Sequence, residues 1–328
     1  MKRRHKFKIY LFIFAIASSL TTRAQEPTVD PNFELLFQED FSSLNPSIWN
    51  QIPSMTWGYE TFQAQNVVFN SIDHSLELTC EMDSSIEDFN SGGIESIHKK
   101  EFGYGYFEVE TKVPVHYRGP WGGFWLQSGD YYSEGEEIDI FEPNGCMTEA
   151  NQYYNVGTRY YEYNIFASVI QTNGYPLSNY NKIAACWTPR KVQYYFNDKN
   201  VNRSCDAQFE ENQRIIPENR LFMFLTFQID SAGCRPIAAP SGPMKWYFKN
   251  LKYYGLKINC TQDKKASNVN FGTFDYRVYR TISLSNSSLL FNSRVFLHAT
   301  DEITLTNFIV PKGSTLECFT YFNQCPEP

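Results

Sequence analysis

The feature that most constrains this chain is the brevity of its apolar segments. From Phe33 onward it runs through "FELLFQEDF", "NVVFNSIDHSLELTCEM", "GYGYFEVETKVP", "GFWLQSG", "EEIDIFE", "KVQYYFNDKNV", "LFMFLTFQID" and "PMKWYFKNLKYYGLK", separated by Gly, Pro, Asn and Ser. Long stretches of 3.6-residue period are nearly absent. Many short strands at such spacing predict an all-β sandwich or barrel. "FEVETKV" shows the pattern: Phe107, Val109, Thr111 and Val113 fall on one face, Glu108, Glu110 and Lys112 on the other. A length of 328 residues is enough for one large β domain and a smaller module. The 22 Tyr and 27 Phe suit pleated surfaces, and flat rings of this kind also stack on sugars. A formal net charge of −7 gives no electrostatic footprint for a nucleic-acid partner.

The N-terminus has the form of an export signal: cationic "MKRRHKFK", apolar "IYLFIFAIASSL", and "TTRA" as a cleavage site before Gln25. The apolar run is too short for a comfortable membrane span, and no later segment is long and apolar enough to cross a bilayer. The expectation is a secreted, periplasmic or cell-surface bacterial protein, with no membrane insertion after signal cleavage. All eight cysteines follow the signal, which favours disulfides, although eight cysteines allow 105 pairings. Proximity suggests Cys318 with Cys325. No CxxC pair or His–Cys cluster at zinc spacing occurs, so no metal ligands are assigned.

Around "NCTQDKKASNVN" the composition turns polar. The expected organisation is a signal peptide over 1–24, a main domain over 25–259 and a small β-rich module over 260–328. Fewer than seventy residues make a marginal core, so the tail is expected to pack on the main domain or to be stapled by its cysteines.

"GEEIDIFEPNG", Gly135 to Gly145, combines four carboxylates with Ile138, Ile140 and Phe141. Strict alternation from Glu137 would bury Glu142 among the isoleucines and leave Phe141 among the acids. One extra residue in a β-bulge at Ile140–Phe141 puts Glu137, Asp139 and Glu142 on one face and returns the apolar residues to the core. Bulges recur beside active sites, where they re-aim a side chain. The Cα atoms of the two glutamates would then be about four strand steps apart, roughly 13 Å at ~3.3 Å per residue. Side chains leaning inward could approach the ~5–5.5 Å between the carboxyls of a retaining glycosidase. Three such acids cannot all ionise cheaply, so at least one keeps a proton near neutral pH. A solvated acidic edge strand or a calcium-binding loop would also place acids together.

The neighbours of this stretch resemble glycoside hydrolase family 16, the clan of laminarinases, agarases, carrageenases and lichenases. "EIDIFE" matches the family's bulged signature at every position. "FQEDFSSLNPSIWN", "SGGIESIHKKEFGYGYFEVETKVP", "WGGFWL", "YNKIAACWTPRKVQYYFNDKNV" and "PMKWYFKNLKYY" follow the family's order, over roughly Phe33 to Lys257. The resemblance implies a β-jelly-roll (concanavalin A-like) sandwich with the cleft on its concave sheet. It implies Glu137 as nucleophile, Glu142 as general acid/base and Asp139 as the partner that tunes them. Trp121, Trp125 and Asn66 match family positions at the cleft. Gln127 shares a face with Trp125, and Trp57 sits where a loop could offer a sugar platform. Each of the three tryptophans also reads as core or exposed loop. Trp187 matches a family Trp and reads equally as core. No organic cofactor is implied. Some members hold a structural calcium away from the cleft, with ligands this sequence does not identify.

The chain departs from the family in four places, one being the short connection "SGDYYSEG" between "FWLQ" and "EEIDIFE". Gly122-Gly123 replaces the Pro-Ala of a W-P-A-F-W run, Asn181 stands at a frequent His, and no His occurs between His116 and His298. The resulting expectation is a monomeric, endo-acting, retaining β-glycanase acting on a polysaccharide, with β-1,3-glucan (laminarin-type) first and an algal galactan (agarose, porphyran or carrageenan) next. A carbohydrate-binding surface protein without activity is the alternative from another class. Hydrolysis and transglycosylation share these residues, and the sequence does not separate them.

Overall fold

The computed structural model describes residues 33–57, 59–83, 88–114, 119–129, 135–143, 145–146, 152–160, 164–172, 174–188, 191–206, 216–217, 219–229, 242–256, 258–271, 278–290 and 294–320. Among them the only helical element is the 3-10 turn Ala64–Asn66; all other regular structure is strand. The export signal lies outside the described residues, and no described helix is long and apolar enough to cross a membrane.

The chain is an all-β jelly-roll sandwich. One sheet has eight strands, in the order Asn164–Gln171, Tyr153–Tyr160, Glu137–Pro143, Pro120–Gln127, Leu221–Ile229, Gly93–Glu95 and Asn50–Gln51, with Glu101–Phe102 added on Leu221–Ile229. The other has eleven strands, and its centre runs Asn181–Thr188, Gly105–Lys112, Met244–Leu256 and Ser75–Asp83. Neighbours in the chain are seldom neighbours in the sheet. Gly105–Lys112, for example, pairs with strands nearly eighty and one hundred and forty residues away, as Greek-key connections require.

The alternating residues meet between the sheets. Phe107 and Val109 are fully buried and Thr111 and Val113 nearly so, and Phe107, Val109 and Val113 share one apolar cluster with Ile138, Ile140, Leu225 and Phe227 from the eight-stranded sheet. Trp246 sits at the centre. It stacks on Phe248 at 5.3 Å, meets Phe141 and Phe227 edge-on, and donates its Nε1–H to Thr111 Oγ1 at 2.7 Å. Full burial of one such aromatic side chain contributes about 1.5–3 kcal/mol. Trp187 is likewise core, with its Nε1 donating to the Pro217 carbonyl at 3.1 Å.

Residues 258–320 form a separate sheet with its own apolar cluster. Ile258–Ser267, Val278–Ser285, Arg294–Thr306 and Thr315–Thr320 pair side by side in parallel, and Ile282, Leu284, Val295 and Leu297 pack together. At the ends of the first three strands Asn268, Asn286 and Asn307 take left-handed φ values of 58°, 46° and 49°. Asn tolerates that region better than other side chains, and Asn307 Nδ2 donates to Asn286 Oδ1 at 3.0 Å. One expectation fails here. Cys318 is a free thiol, so it is not paired with Cys325, which lies outside the described residues.

Glu60 is an acid in the wrong solvent. It is 1% exposed, Oε2 accepts the Ile229 N–H at 3.3 Å, and Oε1 has no hydrogen-bond partner. Burial pushes its carboxyl from 4.5 up to about 8. The folded chain therefore keeps a proton that the unfolded chain loses above pH 4.5, so stability falls as pH rises towards 8. At about 1.4 kcal/mol per pH unit, the effect is capped at roughly 5 kcal/mol. Glu60→Gln removes the titration. Its melting temperature relative to wild type is expected to climb between pH 5 and pH 9, and a constant difference across that range would refute the assignment.

Candidate active site

The strand Glu137–Pro143 carries the bulge that its sequence requires. Against Pro120–Gln127, Glu137 faces Gln127, Ile138 faces Leu126 and Asp139 faces Trp125. The next pair is Phe141 with Phe124, leaving Ile140 over. Against Tyr153–Tyr160, Glu137 faces Arg159, Asp139 faces Gly157, and the register then jumps to Glu142 with Asn155. Ile138, Ile140 and Phe141 are completely buried, while Glu137, Asp139 and Glu142 all reach the open face. The kink is held from beneath, where Phe141 packs on Tyr154 at 4.8 Å and on Trp246 at 6.1 Å.

The three acids line one pocket with Trp121, Gly122, Trp125, Phe141, Arg159 and Gln228. Trp121 Nε1 donates to Glu142 Oε1 at 2.7 Å, and Asn155 Nδ2 donates to Glu142 Oε2 at 3.2 Å. Arg159 Nη2 bridges to Glu137 Oε1 at 3.0 Å. Gly157 is the cross-strand partner of Asp139, and its carbonyl accepts from Tyr194 Oη at 2.8 Å. Trp125 stacks on Phe224 with centroids 4.1 Å apart, and its Nε1 donates to Thr226 Oγ1 at 3.1 Å.

Electrostatics separates the acids. Burial pushes Asp139 well above the ordinary carboxylate range, and the charges of Glu137 and Glu142 push it further against the pull of Arg159. Burial also raises Glu137, with Arg159 drawing it back and Glu142 adding to the rise. Burial and like charge thus push Asp139 towards its neutral form more strongly than Glu137. A carboxylate beside a fixed cation, an acid pushed towards its neutral form next to it, and a second glutamate held by two N–H donors can divide attack from proton transfer.

The binding residues expected from sequence scatter. Trp121 and Trp125 line the pocket. Gln127 is buried beside Glu137 in the sheet. Asn66 does not reach the cleft: it is 1% exposed and its amide donates to the carbonyls of Thr79 and Asn90 at 3.3 Å each. It ties strand backbones together inside the fold. The backbone of Trp57 pairs with Glu60, and its side chain lies outside the described residues. Arg159, Asn155 and Gln228 were not foreseen. Gln228 lies across from Trp121. Among the described residues no group of three or more His, Cys, Asp or Glu side chains could hold a metal ion.

A β-sandwich with a bulged carboxylate trio in a Trp-lined pocket defines the class. The chain belongs to glycosyl hydrolases family 16, whose model matches residues 55–241. Solved structures share the fold at low identity. The laminarinase catalytic domain of Thermotoga maritima superposes with TM-score 0.57 at 16% identity, covering 68% of this chain and 98% of that one. A Bacteroides ovatus family 16 enzyme from a mixed-linkage glucan locus, solved with its product, gives TM-score 0.55 at 19% identity, over 67% and 100%. A structure from work on endo-acting O-glycanases by which gut microbiota initiate mucin breakdown gives 0.59 at 16%, over 70% and 93%. No curated protein matches the sequence significantly.

Proposed function

We propose that the protein is a secreted, endo-acting, retaining β-glycanase, with β-1,3-glucan as its preferred polymer. The observation that carries this reading is the bulge, which brings Glu137, Asp139 and Glu142 to one pocket while giving the two glutamates different partners. Glu137, backed by Arg159, attacks the anomeric carbon and forms a glycosyl-enzyme ester. Glu142 protonates the departing oxygen, then takes a proton from the water that cleaves the ester. Trp121 and Asn155 steady the Glu142 anion formed between those steps. Asp139, protonated, adds no third negative charge. Trp121, half exposed above Glu142, offers a ring for a sugar beside the cleaved bond.

The preference for β-1,3-glucan is supported by the laminarinase among the structural relatives. Export is supported by the N-terminal signal pattern and by Cys146, which is disulfide-bonded. The catalytic unit is assigned to residues 25–259, and 260–328 is read as an accessory module.

The test uses the mature chain, residues 25–328, with laminarin, mixed-linkage glucan and agarose. New reducing ends are counted, and the first-formed anomer is read by proton NMR. Cleavage of laminarin with the β-anomer released first is expected. An α-anomer first would overturn the retaining mechanism. Cleavage of agarose alone would move the substrate to galactans. Binding to all three without cleavage would make the protein a lectin.

A further inference from the structure

The strand Leu221–Ile229, "LFMFLTFQI", alternates strictly. Leu221, Met223, Leu225, Phe227 and Ile229 enter the core between the sheets, so Phe222, Phe224, Thr226 and Gln228 fall on the cleft face. Phe222 and Phe224 pack with Trp125, and Thr226 Oγ1 accepts the Trp125 Nε1–H at 3.1 Å. Gln228 goes to the pocket: among the described residues it is the one member of this strand in the pocket wall. Sheet register pairs it with Trp121, whose Nε1–H is donated to Glu142. The Gln228 amide lies over Gly122, where a Cβ would come 2.9 Å from Gln228 Oε1. Gly122 has φ +83°, a region that glycine enters freely and that proline, fixed near −65°, does not enter at all. The W-P-A-F-W run carries its proline at this position, and any side chain there would claim the space that the amide takes. Nor does Gln228 sit on a loose segment: the next residue, Ile229, pairs with Pro120, and its N–H is donated to the buried Glu60 Oε2 at 3.3 Å.

We propose that Gln228, seated over Gly122, is a specificity-determining residue: its amide hydrogen-bonds a hydroxyl of the sugar that lies on Trp121, next to the bond being cleaved. An amide both donates and accepts, as a hydroxyl does. A site that hydrogen-bonds a substrate hydroxyl rejects the analogue lacking it far more strongly than an apolar pocket could. Gln228 takes no part in bond making or breaking; it selects the sugar on which Glu137 and Glu142 act. The glycine and the glutamine are then one device, since the bare backbone at 122 is what lets the amide reach the sugar from the neighbouring strand. The inference rests on the glycanase reading and narrows its substrate to polymers whose sugar at that position carries a free hydroxyl, not one masked as an ester or ether.

The test uses the mature chain, residues 25–328, carrying Glu137→Gln so that sugar is held without turnover, with laminarihexaose as the probe. Glutamine side-chain amides and indole N–H groups are followed by 15N NMR. The Gln228 signals are assigned by their loss in Gln228→Glu, and the Trp121 signal by its loss in Trp121→Phe. The Gln228 amide is expected to shift on addition of the hexaose and to saturate together with the Trp121 indole. In chains with Glu137 intact, Gln228→Leu should lower kcat/KM on laminarin about ten-fold or more, with KM rising more than kcat falls. Gln228→Glu, which keeps the shape and an acceptor, should lose less, and it carries the kinetic comparison should Gln228→Leu fail to fold. A Trp121 indole that responds to the hexaose beside a Gln228 amide that does not would overturn the proposal and leave the glycanase reading standing. So would a kcat/KM unchanged in Gln228→Leu. Absence of binding and of cleavage on every polymer would defeat the glycanase reading, and this inference with it.

Discussion

Glu137→Gln is expected to reduce turnover by roughly four orders of magnitude or more, on the scale seen when a covalent nucleophile is removed, while leaving the fold as stable as wild type or more so. The two effects share one origin. An amide oxygen cannot form the glycosyl ester, so no intermediate accumulates and only pocket binding remains. Yet Glu137 is a mostly buried acid beside Glu142, raised by burial and held down mainly by Arg159. Replacing it with a neutral isostere removes the repulsion and the desolvation of a charge. What is lost is one ion pair whose cation is over a third exposed, and such pairs are worth little. Counting reducing ends beside a thermal melt checks both halves. Residual activity above a few per cent would remove Glu137 from the nucleophile role. A large loss of stability would mean that the Glu137–Arg159 pair holds the sheet together.

Much of this was legible because the physics is local. Alternation with a period of two, as in Phe107 to Val113, declares which side chains go inside. The misfit of Phe141 and Glu142 to that period demanded a bulge, and the bulge is there. What lay across the sheet was not legible. The strand Tyr153–Tyr160 reads "YYNVGTRY", with a central Gly that suggests a turn and tyrosines that suit either face. It nevertheless presents Asn155, Gly157 and Arg159 to the three acids in order. Only cross-strand register, set by contacts distant in sequence, reveals that Arg159 faces Glu137. Asn66 failed for the converse reason. A family position can be occupied by the same residue while its amide turns inward to strand carbonyls. The parallel pairing of residues 258–320 was also hidden, since alternation says nothing about strand direction. The recurring Ser/Thr-Asn pairs at 267–268, 285–286 and 306–307 were the available signal, marking successive coil ends with left-handed Asn.

The second large effect concerns Gly122-Gly123, where the chain departs from the W-P-A-F-W run of the family it resembles. Restoring the alanine, Gly123→Ala, is expected to disable the enzyme rather than improve it. Gly123 has φ +129°, and a Cβ there would lie 2.1 Å from the Phe141 carbonyl oxygen and 3.3 Å from the Trp246 ring. The Phe141 carbonyl belongs to the bulge itself, so the strand that carries the acids would have to give way. Holding a non-glycine residue in a sparsely populated backbone region costs about 1–3 kcal/mol, and overpacking a core adds about 1–3 kcal/mol more. Together these approach the whole stability of a marginal domain. Moving the bulge by about an ångström would also misplace Glu142 against Trp121 and Asn155, a displacement capable of costing about 100-fold in rate. Gly122→Ala makes a graded comparison: its Cβ would lie 2.8 Å from Thr226 Oγ1, 2.9 Å from Gln228 Oε1 and 3.0 Å from the Thr226 carbonyl oxygen, a milder clash than the 2.1 Å at Gly123, although its φ of +83° still carries strain. The expected order of melting temperature and kcat is therefore wild type, then Gly122→Ala, then Gly123→Ala. A Gly123→Ala variant as stable and active as wild type would show that the catalytic strand can shift without loss, and that the bulge does not depend on the bare backbone opposite it.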